Sequence, residues 1–142
     1  MTAPLRVHVT HVFSSDPATV FAALSEHEKL GVVFAPAKIT RVKDGAASRN
    51  GVGSVRRLKI GPLPGFEETV TAAEEPTLIE YEITKGGPLK GHWAVQRLTP
   101  TGDGGTRLDY RIGFDAPLPG MAKVVGAGLS RQIKAGLTKL VP

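Results

Sequence analysis

Five side chains on strand-like runs can hydrogen-bond or exchange a proton, and apolar neighbours decide for some of them, though not for all, that they lie on a covered face. In "SVRRLKI" (54–60), Leu58 and Ile60 mark the inward face and strict alternation puts Arg56 beside them, while Arg57 faces out. A bulge near the strand start would instead turn Arg56 to solvent. In "FEETV" (66–70), Phe66, Glu68 and Val70 share a face. If that face is inward, Glu68 is a buried carboxylate, either paired with Arg56 on the neighbouring strand or acting as an acid or base with a raised pKa. Tyr81 and Tyr110 lie on alternating strands, where a buried hydroxyl needs a partner, in a ligand or in the protein. His92 could serve as a general base or bond a ligand oxygen. Alternation does not decide whether His92 or Trp93 points inward.

Other chemistry is excluded. The 142-residue chain has no cysteine, so disulfides, thiolate nucleophiles and cysteine-held zinc are absent. His8, His11, His27 and His92 show no paired metal spacing, so no metal and no cofactor is expected. "GVGSVR" (51–56) has Arg56 where a dinucleotide-binding loop needs its last glycine. No phosphate-binding loop or serine elbow is present.

The elements that must position these residues follow from turn chemistry and periodicity. "LRVHVTHVF" (5–13) alternates as a first strand and stops at "SSDP", where Asp16 can cap a helix beginning at Pro17. Ser25 and Glu28 have the spacing of a capping box, predicting a second short helix. From "AKITRVK" (37–43) onward, six strand-length runs are separated by turns such as "GPLPG" (61–65) and "TGDGGT" (101–106). The connections are too short for crossover helices, so the strands pair as an antiparallel meander. "MAKVVGAGLSRQIKAGLTKL" (121–140) closes the chain as a long amphipathic helix. One covered sheet face and one long helix imply that the helix covers the sheet.

Composition agrees with one soluble domain: 41% hydrophobic, 22% charged, no signal-like apolar leader and no run long enough to span a bilayer. A cytoplasmic location is the resulting expectation. The net charge is +5, and residues 116–142 hold Lys123, Arg131, Lys134 and Lys139 with no carboxylate side chain. The outer face of the last helix thus offers transient contact with an acidic membrane surface, or is simply solvated. The charge lacks an accompanying aromatic platform, which argues against nucleic acid.

The element order, with "SSDPATVFAALS", "NGVGSVRRLKIG", "EETV", "YEIT", "GGTRLDYRIGF" and a terminal amphipathic helix after "PLPG", resembles the SRPBCC superfamily, also called START-like or birch-pollen-allergen-like, and especially its polyketide cyclase/dehydrase branch. The resemblance covers nearly the whole chain. It implies an α+β helix-grip fold, in which a bent seven-stranded antiparallel sheet wraps the terminal helix and two short helices close one end.

It also implies a small hydrophobic ligand, lipid-, quinone- or polyketide-like, held between sheet and helix by a carrier or sensor. The alternative is a cyclase or dehydratase using His92 or Glu68 as the acid–base group. On this reading the ligand meets Arg56, Leu58, Glu68, Tyr81, His92, Tyr110 and Phe114 from the sheet, and Val125, Gly128 and Leu129 from the helix. Gly128 and Gly136 lie next to the apolar stripe of that helix, either flanking a roofed cavity or allowing close packing.

Overall fold

The computed structural model describes residues 3–142. The chain runs β1 (Leu5–Phe13), α1 (Pro17–Ser25), a 3-10 turn (His27–Gly31), β2 (Lys38–Lys43), β3 (Val55–Lys59), β4 (Phe66–Glu74), β5 (Leu78–Lys85), β6 (Lys90–Pro100), β7 (Thr106–Asp115) and α2 (Met121–Leu137). All seven strands form one antiparallel sheet in the order β1-β7-β6-β5-β4-β3-β2. The meander is therefore unbroken from β2 to β7, and β1 closes on β7 at the far edge. This is the helix-grip architecture expected from the element order.

Local chemistry explains the boundaries. Asp16 accepts the Thr19 N–H at 2.9 Å, and Pro17 occupies the first helical turn, where its missing N–H is no loss. The expected capping box is not formed: Ser25 ends α1 and Glu26, without a side-chain cap, precedes the 3-10 turn. Glu28 is drawn away by Arg41 of β2, which it meets at 3.0 Å, and Arg41 also reaches Glu26 at 3.2 Å. A bifurcated guanidinium contact outcompetes a single capping bond and ties the turn to the sheet edge.

The core lies between the concave sheet face and the helices. Val7, Val9 and Phe13 of β1, Leu108, Tyr110, Ile112 and Phe114 of β7, and Ile133 and Leu137 of α2 are all buried in it. Every second residue of β7 from Thr106 to Phe114 is buried, as a strand with one covered face requires.

The glycines of α2 divide into two kinds. A Cβ at Gly126 would stand 2.9 Å from the Arg6 carbonyl oxygen, and one at Gly136 would stand 2.5 Å from Val33 backbone atoms. These positions let the helix touch β1 and the segment following the 3-10 turn. Gly128 corrects the sequence expectation: it is exposed, and an added Cβ would meet nothing within 4 Å. The buried face of α2 runs through Ala122, Gly126, Ile133, Gly136 and Leu137, because the helix leans on β1 and leaves Gly128 on the open side.

Candidate functional site: a polar-tipped apolar pocket

Arg56 and Glu68 are directly opposed in the β3–β4 register, and no bulge intervenes there. Both point inward, with side chains 3% and 6% exposed, and Arg56 Nε donates to Glu68 Oε1 at 2.8 Å. Two charges at this depth require each other, since either alone would keep the full cost of leaving water. Burial opposes the Arg56 charge, and the Glu68 carboxylate more than offsets it, holding the guanidinium above its ordinary pKa. The guanidinium carbon also lies 4.5 Å from the centre of the Tyr81 ring, a cation–π contact that fixes its plane.

Tyr81 carries the network onward. Its hydroxyl bonds the Tyr110 hydroxyl on β7, across the intervening β6, and both tyrosines are fully enclosed. Burial, together with the neighbouring phenol and Glu68, raises the Tyr81 pKa well above its usual value, so the phenol stays neutral. Arg56, Glu68, Tyr81 and Tyr110 therefore form one connected polar string inside an apolar core.

His92 resolves the ambiguity on β6. It points inward, 8% exposed, with Ala94, Gln96 and Leu98, while Trp93 turns out and donates its indole N–H to the Ala3 carbonyl at 2.9 Å. His92 Nδ1 accepts the backbone N–H of Ile83 at 3.0 Å. Burial lowers its pKa from the ordinary value, so the ring is neutral. With the Nδ1 lone pair taken by a backbone donor, the proton sits on Nε2, which remains the ring's donor.

Glu68, Tyr81 and His92 meet at a pocket of about 90 Å³ between β3, β4, β5, β6, β7 and α2. Its walls are Leu58, Ile60, Phe66, Ile83, Leu89, Ile112 and Leu129, with Phe34 and Ala37 supplied by the segment before β2. Glu68, Tyr81, His92 and Gln132 are the polar groups on the wall. Gln132 holds that segment over the pocket by donating to the Phe34 and Ala35 carbonyls at 3.0 and 2.7 Å. Past Leu58, Ile60 and Phe66, which both spaces share, a second apolar groove of about 430 Å³ opens along Leu63, Pro64, Gly87 and Pro88.

Of the residues expected at a ligand, Leu58, Glu68, Tyr81, His92 and Leu129 stand on the pocket wall. The others do not. Arg56 lies behind Glu68, Tyr110 behind Tyr81, Phe114 is enclosed in the core, Val125 packs against that core, and Gly128 faces away. Alternation finds which way a strand residue points but not how far along the strand the packed region ends. The wall residues Phe34, Ala37 and Leu89 come from irregular segments that carry no periodic signal. Among the described residues, no group of histidines and carboxylates has the arrangement of a metal site.

Residues 4–142 match the family described as polyketide cyclase / dehydrase and lipid transport. Among curated protein sequences, none matches the chain. Solved structures of the same fold include a START superfamily protein from Mycobacterium smegmatis, 17% identical over 94% of this chain and 95% of that one, with a TM-score of 0.78. The ZhuI aromatase/cyclase from Streptomyces sp. R1128 is 17% identical over 94% of this chain and 92% of that one, with a TM-score of 0.74. Norcoclaurine synthase from Thalictrum flavum, solved with dopamine and hydroxybenzaldehyde, is 14% identical over 98% of this chain and 86% of that one, with a TM-score of 0.70. At these identities the likeness is one of fold. The family match and the shared helix-grip architecture together place the molecule: the chain belongs to the polyketide cyclase / dehydrase and lipid transport family of the SRPBCC superfamily.

Proposed function

We propose that this domain binds a small hydrophobic molecule carrying an oxygen acceptor, seating the oxygen against His92 and the apolar body along the groove past Phe66. The observation that carries this reading is the Ile83–His92 bond, which leaves a neutral imidazole with its Nε2 proton on the wall of an apolar pocket. A ketone, quinone or hydroxyl oxygen matches that donor, and Glu68 on the same wall matches a hydroxyl or enol proton. The inner pocket, about 90 Å³, takes only the polar end of such a ligand. Sites for drug-sized molecules enclose about 300–1,000 Å³, so the remainder must lie in the outer groove.

Carriage or sensing needs nothing more than this. The same donor favours a second reading, polarisation of a ligand carbonyl toward its enol, as a cyclase or dehydratase step would use. In that reading His92 donates a hydrogen bond to the carbonyl and is not the base, because its Nδ1 lone pair is already engaged.

Isothermal titration with a panel of decalones, naphthoquinones and their deoxygenated hydrocarbons tests the binding reading. Oxygenated members should bind at least tenfold more tightly than the hydrocarbons, and His92→Phe should remove that preference while retaining the fold. Equal affinity for both series, or a preference that survives His92→Phe, would sink it.

A further inference from the structure

The mouth of the pocket carries a surface feature that ligand binding inside does not require. At the β3–β4 turn, Leu63 is 61% exposed and Ile60 44% exposed, with Pro64 and, from the β5–β6 turn, Pro88 beside them. Exposed aliphatic side chains are ordinary when scattered, but these adjoin one another and border an apolar groove. The opposite flank of the same turn is basic on balance: Leu63 and Pro64 also border a cleft of about 320 Å³ whose charged walls are Arg57, Lys59 and Lys85 with one carboxylate, Glu67. Arg57 spends its charge on Glu67, at 2.5 Å; Lys85 stands opposite that same carboxylate in the β4–β5 register without bonding it, and Lys59 and Lys85 form no salt bridge among the described residues. Lys38 stands directly opposite Lys59 in the β2–β3 register, a like-charge pairing that costs stability unless an outside anion relieves it.

We propose that the β3–β4 turn is a docking surface for an anionic lipid bilayer, with Leu63 entering the acyl boundary and Lys38, Lys59 and Lys85 meeting phosphate headgroups. Apolar insertion beside several lysines is the combination that holds a protein at a charged interface. Docked this way, the groove opens onto the hydrocarbon layer, so an apolar ligand passes between bilayer and pocket without crossing water. The basic outer face of α2 lacks this pairing: Val124 is exposed there, but no apolar groove joins it.

The proposal goes beyond ligand binding and fails separately from it, since vesicle binding is read on the protein without added ligand. Flotation with vesicles of phosphatidylglycerol and phosphatidylcholine, compared with phosphatidylcholine alone, should show binding only to the anionic vesicles, weakening as salt rises. The double variant K59Q/K85Q should bind about twenty-five-fold less tightly, taking each lysine as about fivefold. Leu63→Asp should reduce binding at least as much, while K123Q/R131Q/K134Q on α2 should leave it within twofold. All these positions are exposed, and circular dichroism checks that each variant is folded. The chain has no cysteine, so an environment-sensitive fluorophore on Leu63→Cys should shift to the blue on anionic vesicles.

Absence of anionic-vesicle binding overturns the proposal. Binding that survives both turn variants, or that is lost with the α2 variant alone, overturns it as well. A dimer in sedimentation velocity that Leu63→Asp abolishes would assign the turn to a second copy of the chain, and that too would overturn it.

Discussion

Replacing Glu68 by Gln leaves the shape of the Arg56 site almost unchanged and removes only the charge that balances it. The guanidinium is 3% exposed, has its Nε on Glu68 Oε1 at 2.8 Å, and is stacked on Tyr81, so it cannot turn to solvent without opening the β3–β5 face. Removing one member of such a buried pair costs about 3–5 kcal/mol, against a domain stability of about 5–15 kcal/mol. For a domain of this size, roughly 4 °C of Tm per kcal/mol translates that into about 12–20 °C.

Removing both charges should be far less harmful. Arg56→Met with Glu68→Leu keeps the volume and adds no unpaired charge, so the double variant should lie within about 2 kcal/mol of the parent or exceed it. Urea denaturation of parent, both single variants and the double variant closes the cycle. The losses should be nearly independent of salt, because ions do not screen an enclosed pair. A Glu68→Gln loss below about 1 kcal/mol, or a double-variant loss equal to the sum of the singles, would refute the account of the pair as mutually dependent.

Three other outcomes follow from particular contacts. Gly136→Ala forces a methyl to within 2.5 Å of Val33 backbone and should cost about 1–3 kcal/mol, whereas Gly128→Ala enters open space and should stabilise by about 0.4–1 kcal/mol, both read by urea denaturation. His27 is fully buried with Nε2 at 3.1 Å from Ser54 Oγ and its Nδ1 unpartnered, and burial, with Arg56 and Arg41 nearby, lowers its pKa to about 4. The unfolded chain, with an ordinary histidine pKa of about 6.5, then binds more protons between pH 6.5 and pH 4, so stability present above pH 6.5 is lost as pH falls through that window. The loss reaches about 3 kcal/mol, and His27→Gln should flatten that part of the pH–stability curve. Leu129→Trp fills the pocket wall from α2 and should abolish ligand uptake in titration calorimetry while moving Tm by only a few degrees.

The parts of this fold that were legible in the sequence are those governed by strict period or turn chemistry. A first strand, a six-strand antiparallel meander and the covered-face placement of Tyr81 and Tyr110 follow from period two and short connections, whereas the inward turn of Arg56 and Glu68 was left open by the sequence and is decided by the unbroken β3–β4 register. His92 was ambiguous because the outer face of β6 carries apolar residues at this end: Val95 is buried there, and the Trp93 ring lies over Gly113, where a Cβ would fall 2.1 Å from it. Apolar side chains on both faces remove the contrast that alternation depends on. The 3-10 turn replaced the expected capped helix because Arg41, remote in sequence, claimed Glu28.

The pocket wall was only half visible. Leu58, Glu68, Tyr81, His92 and Leu129 sit on regular elements, but Phe34, Ala37 and Leu89 are placed by tertiary packing alone. The error at Gly128 has the same origin. Helical period identifies the apolar stripe of α2, while the tilt of the helix onto β1 decides which flank of that stripe is covered, and that tilt depends on Gly126 meeting Arg6 from another element.

The central claim is that the pocket between sheet and helix takes a hydrophobic ligand by its oxygen, with His92 as donor. Native mass spectrometry of the purified protein, alongside Leu129→Trp and His92→Phe prepared identically, tests it most directly. The account predicts a retained noncovalent adduct on the parent, identified after release as an oxygenated hydrophobic molecule, absent from Leu129→Trp and much reduced on His92→Phe. A parent that carries no adduct and binds no member of the oxygenated panel, or an adduct equally abundant on all three proteins, would contradict it.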